Sequence, residues 1–233
     1  MSRFARQESI IPPAKIGEER IILVGAGAVG RQVGLQLAAA GAKHVQLVDF
    51  DKVEEVNIAT QGYSTSEIGR FKTDALATSM RCLSPEGGHF YSNTRLWSPR
   101  DYVESKPTVI FSCVDSMDCR KSLYHFFKKN ESVKLFIDGR MLGETIWFLT
   151  VQRTDLVSDT TSGLLTSYYD DTLFNDSQAF QGRCTSQSTY YASSILASLL
   201  IRQFSFHLRD FPIDKRDKNR RVNLLDLDGG FSA

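Results

Sequence analysis

The stretch RIILVGAGAVGRQVGLQLAAAGAKHVQLVDFD, residues 20–51, decides the fold. Residues 20–25 form a short apolar run without helical spacing, which indicates a buried strand of a parallel sheet. The glycine turn GAGAVG at residues 25–30 follows, and apolar residues then recur with helical spacing up to Gly41, a typical helix stop. Residues 44–51 predict a second strand. Strand, glycine turn, helix and strand make one βαβ unit, whose crossover is almost always right-handed.

The alternation of strands and helices continues through the middle of the chain. Apolar spacing predicts helices at residues 66–82 and 116–130, and Ser116 is a candidate N-cap of the second. Four further segments predict strands, at residues 90–96, 108–115, 133–140 and 144–152, and the strongest is the β-branched run at 108–115. This order predicts an α/β fold, a Rossmann-like doubly wound and mostly parallel sheet, with its nucleotide-binding core at residues 20–152.

The remainder of the chain has a different composition. Residues 153–183 are polar, rich in Ser, Thr and Asp, and without sustained periodicity, which predicts a long crossover loop of the kind that is usually functional. Residues 184–233 contain a long apolar helix at 186–208 and an alternating stretch at 221–230. We expect the last stretch to be an edge strand, which gives the sheet an antiparallel C-terminal extension within a single domain spanning residues 1–233.

Composition and charge exclude several classes of partner. The 233 residues are 42% hydrophobic and 24% charged, ordinary values for a globular protein, and the formal net charge is only +1. That balance gives no electrostatic case for nucleic acid or for an anionic membrane, and no apolar run approaches the roughly 18 residues of a spanning helix. The cysteines show no C-x-x-C spacing, which argues against structural zinc and disulfides, so we expect a cytoplasmic protein.

The glycine turn and the strand after it predict a nucleotide site. A backbone without side chains can approach a phosphate closely, and the following helix N-terminus offers free N–H groups. Asp49 ends the second predicted strand, where a carboxylate can accept hydrogen bonds from ribose hydroxyls. The expected contacts from the turn are Gly25, Gly27, Ala28, Val29 and Gly30. Two alternatives stay open: the glycines serve only tight packing, or the chain is an NAD-dependent dehydrogenase.

The segment after the second strand carries a family signature. It reads VDFDKVEEVNIATQGYSTSEIGRFKTD at residues 48–74. A D-x-D at the strand end, then N-x-x-R-Q, then G-x-x-K is the pattern of the ThiF/MoeB/HesA superfamily, the ubiquitin-activating-type adenylyltransferases, which this chain resembles. The positions that match are Asp49, Asp51, Asn57, Gln61, Gly69 and Lys72.

Other segments resemble the same family, in the same order along the chain. SRFARQ near the start is similar to the family's R-Y-x-R-Q and places Arg6. SCVDSMDCR is similar to C-x-D-N-x-x-x-R and places Asp115 and Arg120. IDGRMLGETIWF is similar to the family's glycine-spaced strand pair, and GRCTSQ lies where the family carries a cysteine segment, here Cys184. The resemblance covers roughly residues 3–208.

The resemblance implies an activity and a set of nucleotide contacts. Such enzymes use ATP and Mg²⁺ to join AMP to the C-terminal glycine of a small ubiquitin-like or sulfur-carrier protein that ends in Gly-Gly. It implies that Asp49 holds the ribose, that Gly27 to Gly30 face the phosphates, and that Asn57 contacts the triphosphate. The implied cofactor contacts after the second strand are Asp49, Asp51, Asn57, Gln61 and Lys72.

The resemblance also implies four catalytic residues. Lys72 supplies a point charge to the triphosphate, and Asp115 ligates Mg²⁺ at the end of a parallel strand. Arg6 reaches across a two-fold interface into the partner's site, which implies a homodimer. Cys184 stands near the position where, in relatives that proceed to a thioester or persulfide, a cysteine attacks the acyl-adenylate.

Two departures from the pattern and several structural alternatives bear on these roles. Thr60 stands where the family has an arginine, and Ser116 stands where it has an asparagine. A catalytically weak or inactive nucleotide-binding relative that acts as a partner subunit is therefore a second hypothesis, beside the dehydrogenase. Residue by residue, Lys72 could be a solvated helix lysine, Asp115 part of a helix cap, and Cys184 a buried structural cysteine.

Overall fold

The computed structural model describes residues 2–84, 87–100, 107–156, 169–174 and 188–211, and the backbone of residues 222–226. The strands are Arg20–Val24 (β1), His44–Val48 (β2), His89–Asn93 (β3), Val109–Ser112 (β4), Leu135–Leu142 (β5), Thr145–Gln152 (β6) and Val222–Asp226 (β7). The main helices are Pro13–Glu18 (α1), Ala28–Ala40 (α2), Val56–Gln61 (α3), Lys72–Leu83 (α4), Met117–Lys129 (α5) and Tyr190–Leu208 (α6).

The strands form one sheet in the order β3-β2-β1-β4-β5-β6-β7. The pairings from β3 to β5 are parallel, whereas β6 is antiparallel to both β5 and β7. This confirms the predicted α/β fold, a doubly wound, mostly parallel sheet with an antiparallel extension. In register, Val24 lies opposite Val48 on one side and Ser112 on the other, so the carboxyl ends of β1, β2 and β4 meet at one edge.

Alternate residues of the central strands face two separate cores. Ile21 and Leu23 of β1 belong to a cluster shared with α2, α4 and α6, whereas Ile22 and Val24 belong to a cluster shared with α5. Because both faces of β1 are covered, its residues read in the sequence as one continuous apolar run. None of the helices within the described ranges is long and apolar enough to cross a bilayer.

The predicted helix at residues 66–82 is shorter in the structure. Gly69 has a φ of 85°, in the left-handed region, and its N–H donates to the carbonyl of Val53 at 2.8 Å. This hydrogen bond interrupts the helical turn, so α4 begins only at Lys72, and Ile68 is 47% exposed and does not pack in the core. The spacing alone cannot reveal this interruption, because the tie is made to a residue outside the helix.

Other boundaries lie close to the predicted ones. α6 begins at Tyr190 and not at residue 186, since the hydroxyl of Thr189 caps it by accepting from the N–H of Ala192 at 3.4 Å. Ser116 caps α5 as predicted. Of the predicted crossover loop at residues 153–183, residues 157–168 and 175–183 lie outside the described part of the chain.

Candidate functional site

The three glycines of the turn after β1 have different environments. A Cβ on Gly25 would stand 2.3 Å from the carbonyl oxygen of Cys113, and one on Gly30 would stand 1.8 Å from the carbonyl oxygen of Gly25. A Cβ on Gly27, in contrast, would have no atom within 4 Å. Packing therefore explains Gly25 and Gly30, whereas Gly27 leaves open space at the N-cap of α2, where Ala28 and Val29 provide the first helical N–H groups.

Asp49 fastens the end of β2 to this turn. Its Oδ2 accepts from the N–H of Ala26 at 2.6 Å, and its Oδ1 accepts from the N–H of Asp51 at 2.8 Å. Burial raises the pKa of Asp49 above its usual value, although both N–H bonds and the charge of Lys72 act in the opposite direction. Each carboxylate oxygen keeps a second lone pair, so the side chain can accept further hydrogen bonds from a ligand.

Lys72 is buried and paired, and is not a solvated helix lysine. The residue is 7% exposed, and its Nζ lies 2.9 Å from Oδ2 of Asp51. The hydroxyl of Tyr63 donates to the carbonyl of Ala26 at 2.7 Å and lies 3.3 Å from the carbonyl of Lys72. Tyr63 thus ties the glycine turn to the first residue of α4 and brings the ammonium group to the same edge of the sheet as Asp49.

The helix α3 presents Asn57 and Gln61 beside the turn. Asn57 is 8% exposed, and its Oδ1 accepts from the N–H of Glu54 at 2.8 Å, which fixes the amide orientation and leaves its NH₂ group facing the other way. The carbonyl of Gln61 accepts from Nε2 of Gln32 on α2 at 3.2 Å. Thr60 donates its hydroxyl to the carbonyl of Val56 at 3.3 Å, and because this side chain is uncharged it supplies no cation to this edge.

Asp115 lies exposed in the loop between β4 and α5, at the same edge of the sheet. The next residue caps α5, because Oγ of Ser116 accepts from the N–H of Cys119 at 3.2 Å. Burial raises the pKa of Cys119 to about 11, and the negative charges of Asp115 and Asp49 add to this effect against the opposing charge of Arg120.

A buried charge network that the sequence did not predict lies below this loop. Asp138 on β5 is 0% exposed and accepts from Nε of Arg120 at 2.8 Å and from Nε of Arg140 at 2.8 Å. Burial opposes ionisation, but the two arginines outweigh it and hold the pKa of Asp138 below its usual value. Tyr169 donates its hydroxyl to the same carboxylate at 3.1 Å. The sequence feature that could have indicated this network is the aspartate in the otherwise apolar strand segment LFID, because a buried carboxylate requires a partner.

Arg31, on α2, is a second buried cation that the sequence did not single out. It is 7% exposed, its guanidinium carbon stacks 4.4 Å from the ring centre of Tyr63, and its Nη2 lies 3.8 Å from Oε2 of Glu67. Its Nε and Nη1 have no hydrogen-bond partner among the described residues. Arg31 therefore holds the segment of Tyr63 to Glu67, which connects Asn57 to Lys72, against α2.

The structure places Arg6 at the opposite end of α2. Nε2 of Gln7 donates to the carbonyl of Ala40 at 3.0 Å, and the ring of Phe4 packs against Gly41. Arg6 is exposed on this segment, whereas the glycine turn lies at the other end of the helix. Cys184, the remaining predicted catalytic residue, lies outside the described residues. The described residues contain no group of three His, Cys, Asp or Glu side chains that could hold a metal ion by themselves.

The chain is similar to several known proteins. A family model described as "ThiF family" matches residues 7–186. "Adenylyltransferase and sulfurtransferase uba4" of Aspergillus clavatus is 39% identical over 123 residues, which are 49% of this chain and 25% of that protein. "Probable adenylyltransferase/sulfurtransferase MoeZ" of Mycobacterium tuberculosis is 33% identical over 72 residues, 30% of this chain and 18% of that protein. The matches thus span a quarter or less of these relatives.

Two solved structures share the fold. The crystal structure of PaaA superposes with a TM-score of 0.73 at 17% sequence identity, covering 98% of this chain and 67% of that one. The crystal structure of Escherichia coli MccB with ATP superposes with a TM-score of 0.69 at 12% identity, covering 99% of this chain and 72% of that one. At such low identity the similarity concerns the fold.

Proposed function

Because the chain belongs to the ThiF family, we propose that it adenylates the C-terminal glycine of a small ubiquitin-like or sulfur-carrier protein, with ATP as the AMP donor. The observation that carries this proposal is the convergence of four features at one sheet edge. They are the open N-cap of α2 at Gly27, the carboxylate of Asp49, the buried Lys72 and the exposed Asp115. Open α/β sheets build ligand sites at this edge.

The polar groups fit a nucleoside triphosphate. The α2 N-terminus offers free N–H groups and a partial positive charge to the phosphates, and the empty space around Gly27 allows close approach. Asp49 has lone pairs left for the ribose hydroxyls, Asn57 directs its NH₂ group away from its own turn, and Lys72 adds a full charge. Asp51 and Gln61 complete the proposed contacts.

Asp115 fits a role as a magnesium ligand. Mg²⁺ prefers oxygen ligands and is usually held by one or two carboxylates together with water and substrate phosphates, so a dedicated cluster of protein ligands is not required. The exposed carboxylate of Asp115 meets this need. When bound, the ion would neutralise charge on the phosphates.

In the proposed reaction the carrier's C-terminal carboxylate attacks the α-phosphorus of ATP. A bond forms between a carboxylate oxygen and the α-phosphorus, the bond from the α-phosphorus to the oxygen that bridges to the β-phosphorus breaks, and pyrophosphate leaves with the electron pair. The chain's contribution is to hold the reactants in line and to stabilise charge on the phosphates through Lys72 and the α2 N-terminus. AMP on the carboxyl group is then a good leaving group for a second nucleophile, for which Cys184 is the proposed residue.

We further propose that the active form is a homodimer. Arg6 lies at the end of α2 that is farthest from Gly27, so within one chain it cannot reach the proposed nucleotide. In a two-fold dimer the same arginine could enter the partner's site and supply the cation that Thr60 does not provide. The names of the uba4 and MoeZ proteins, which include sulfurtransferase, support a sulfur-carrier protein as the partner.

The proposal is tested by ATP–pyrophosphate exchange in the presence of small proteins that end in Gly-Gly. We expect exchange that depends on the carrier's terminal glycine, and we expect Asp115→Ala to abolish it. Asp118→Ala is the matched control, because Asp118 is an exposed carboxylate on the first turn of the same helix, 3.7 Å from Lys121. Unaltered exchange in Asp115→Ala would refute the proposed metal ligand.

Thr60 favours one alternative, a nucleotide-binding relative without catalysis that serves as a partner subunit. Such a protein would bind Mg·ATP tightly and yet show no exchange with any Gly-Gly protein. The family match does not favour the dehydrogenase hypothesis, and tight binding of ATP in preference to NADH would argue against it directly.

A further inference from the structure

Arg120 links the buried carboxylate of Asp138 to the loop that carries Asp115. Its Nε donates to Asp138, at 2.8 Å and 3.0 Å from the two oxygens. Its Nη2 donates to the carbonyl of Val114, the residue directly before Asp115, and lies 3.5 Å from the carbonyl of Gly139 on β5. Arg120 itself is 3% exposed; its contact with Asp138 is buried, and its contact with Val114 is partly buried.

The rest of the loop is held at its two ends. The N–H of Cys113 donates to the carbonyl of Val24 on β1 at 2.8 Å, and Ser116 caps α5 through the N–H of Cys119. Between these points the carbonyl of Val114 is held by Arg120. These contacts hold the backbone on both sides of Asp115, and so set the direction of the Cα–Cβ bond that carries its exposed carboxylate.

The orientation of Arg120 is itself determined by several contacts. Asp138 also accepts from Nε of Arg140 at 2.8 Å and from the hydroxyl of Tyr169 at 3.1 Å. Arg140 in turn donates to the hydroxyl of Thr172 at 2.9 Å. Three donors therefore hold the carboxylate in place, and the guanidinium of Arg120 contacts both Asp138 and the carbonyl of Val114.

We propose that Arg120, oriented by Asp138, is a positioning residue that aims the carboxylate of Asp115 at Mg·ATP. This inference rests on the proposed function of the Asp115 loop. The competing interpretation is a simple core ion pair. However, a buried ion pair gives little net stability over a packed apolar pair, and here the arginine of the pair also holds the backbone of the residue directly before Asp115.

Calorimetric titration with ATP tests the proposal without the carrier protein. Arg120→Lys keeps the charge but cannot reach Asp138 and Val114 together. We expect its Kd for Mg·ATP to rise about tenfold, the usual size of an effect on a group that orients a metal ligand. We expect its Kd for ATP in EDTA to stay within about twofold of the wild-type value, because the Asp115 loop then holds no ion.

A double-mutant cycle separates positioning from a general loss of stability. If Arg120 acts through Asp115, Arg120→Lys should weaken Mg·ATP binding little further in an Asp115→Asn background. Arg153→Lys is the matched control, since Arg153 also donates to several backbone carbonyls around α5, but at the helix's other end. It should lower the free energy of unfolding without changing the dependence of ATP affinity on Mg²⁺.

Hydrogen exchange in the ligand-free protein keeps this inference distinct from the proposed function. We expect amides of residues 113–116 to exchange faster in Arg120→Lys, and in Asp138→Asn if the first variant does not fold. Slowed or unchanged exchange of these amides would overturn the positioning role. Wild-type affinity for Mg·ATP in a folded Arg120→Lys variant would overturn it as well, provided that Asp115→Asn binds Mg·ATP more weakly. If the wild type binds no ATP, the proposed function fails, and the exchange result still decides whether Arg120 orders the loop.

Discussion

Gly25 and Gly27 stand two residues apart in one turn and meet different requirements. Gly25 has a φ of 90° and faces the carbonyl of Cys113, whereas Gly27 has a φ of −74° and faces open space. A side chain at the first position is excluded by the fold itself. A side chain at Gly27 would clash only with a ligand bound in the open space at the N-terminus of α2.

Alanine substitutions at these two positions should therefore act on different quantities. We expect Gly25→Ala to lower the free energy of unfolding by more than about 2 kcal/mol, because it combines a left-handed φ with a backbone clash. Gly27→Ala should cost less than about 1 kcal/mol, the range of an N-cap change, but should weaken ATP binding. Urea denaturation and calorimetric titration measure the two effects. Equal stability losses would contradict the distinction.

Lys72 gives a second prediction at the scale of the residue. Lys72→Met preserves most of the buried side-chain volume and removes the charge, so we expect the Kd for ATP to rise at least about tenfold, as for a lost charge-assisted hydrogen bond. Lys52→Met is the control, because Lys52 is exposed and its ammonium lies over the ring of Phe71. Similar ATP affinity in the two variants would exclude contact between Lys72 and the phosphates.

At the scale of the element, β5 carries a carboxylate that a central strand would not ordinarily tolerate. Asp138 remains ionised inside the core because Arg120 and Arg140 approach it from α5 and from β5 itself. The three charged residues connect the strand, the helix and the Asp115 loop into one unit. The stability of this unit depends on the charge of a single group.

That dependence predicts a specific response to pH. Because the pKa of Asp138 is lowered in the folded protein, its ionised form favours folding, and this contribution is complete above about pH 4 and lost as the pH falls further. Asp138→Asn should cost about 3 kcal/mol near neutral pH, and the difference from wild type should shrink in acid. Urea denaturation between pH 3 and 7 measures it, with Asp118→Asn as the exposed control. A difference that is constant with pH would contradict the ionised assignment.

At the scale of the whole molecule, the long axis of α2 separates two parts of the proposed site. A helix of 13 residues is about 20 Å long, and the segment with Arg6 packs at one end while the glycine turn lies at the other. If both parts serve catalysis, a second copy of the chain must bring them together. Sedimentation analysis should then detect a dimer.

Mixing two inactive variants tests this arrangement. Arg6→Ala and Asp115→Ala should each lose carrier-dependent exchange, and a mixture of the two should regain about a quarter of wild-type activity. The reason is that half of the randomly paired dimers are mixed, and each mixed dimer contains one site with both residues intact. Carrier-dependent exchange by Arg6→Ala alone would refute a shared site. So would a mixture that regains no activity although its subunits are shown to exchange between dimers.

The amino-acid sequence by itself determined the local features of this protein. Hydrophobic patterning predicted the strands and the longer helices α2, α4, α5 and α6, although it did not predict the short helices α1 and α3. Residue types predicted the glycine turn after β1 and the cap at Ser116, because each of these depends on residues close together in the chain. The ordered motifs also gave the family and the candidate residues from Arg6 to Cys184. These features depend on short segments of the chain, so they can be predicted from the amino-acid sequence without knowledge of the tertiary contacts.

Only the tertiary structure decided which side chains meet. The pairing of Lys72 with Asp51, the tie that delays α4 until after Gly69, and the link from Asp138 through Arg120 all join separate elements. Their energies come from burial and from hydrogen bonds that exist only once the sheet has assembled. The sequence does not show that a carboxylate in a strand will pair with an arginine in a helix, because the free energy that favours the pair depends on the shape of the core around it.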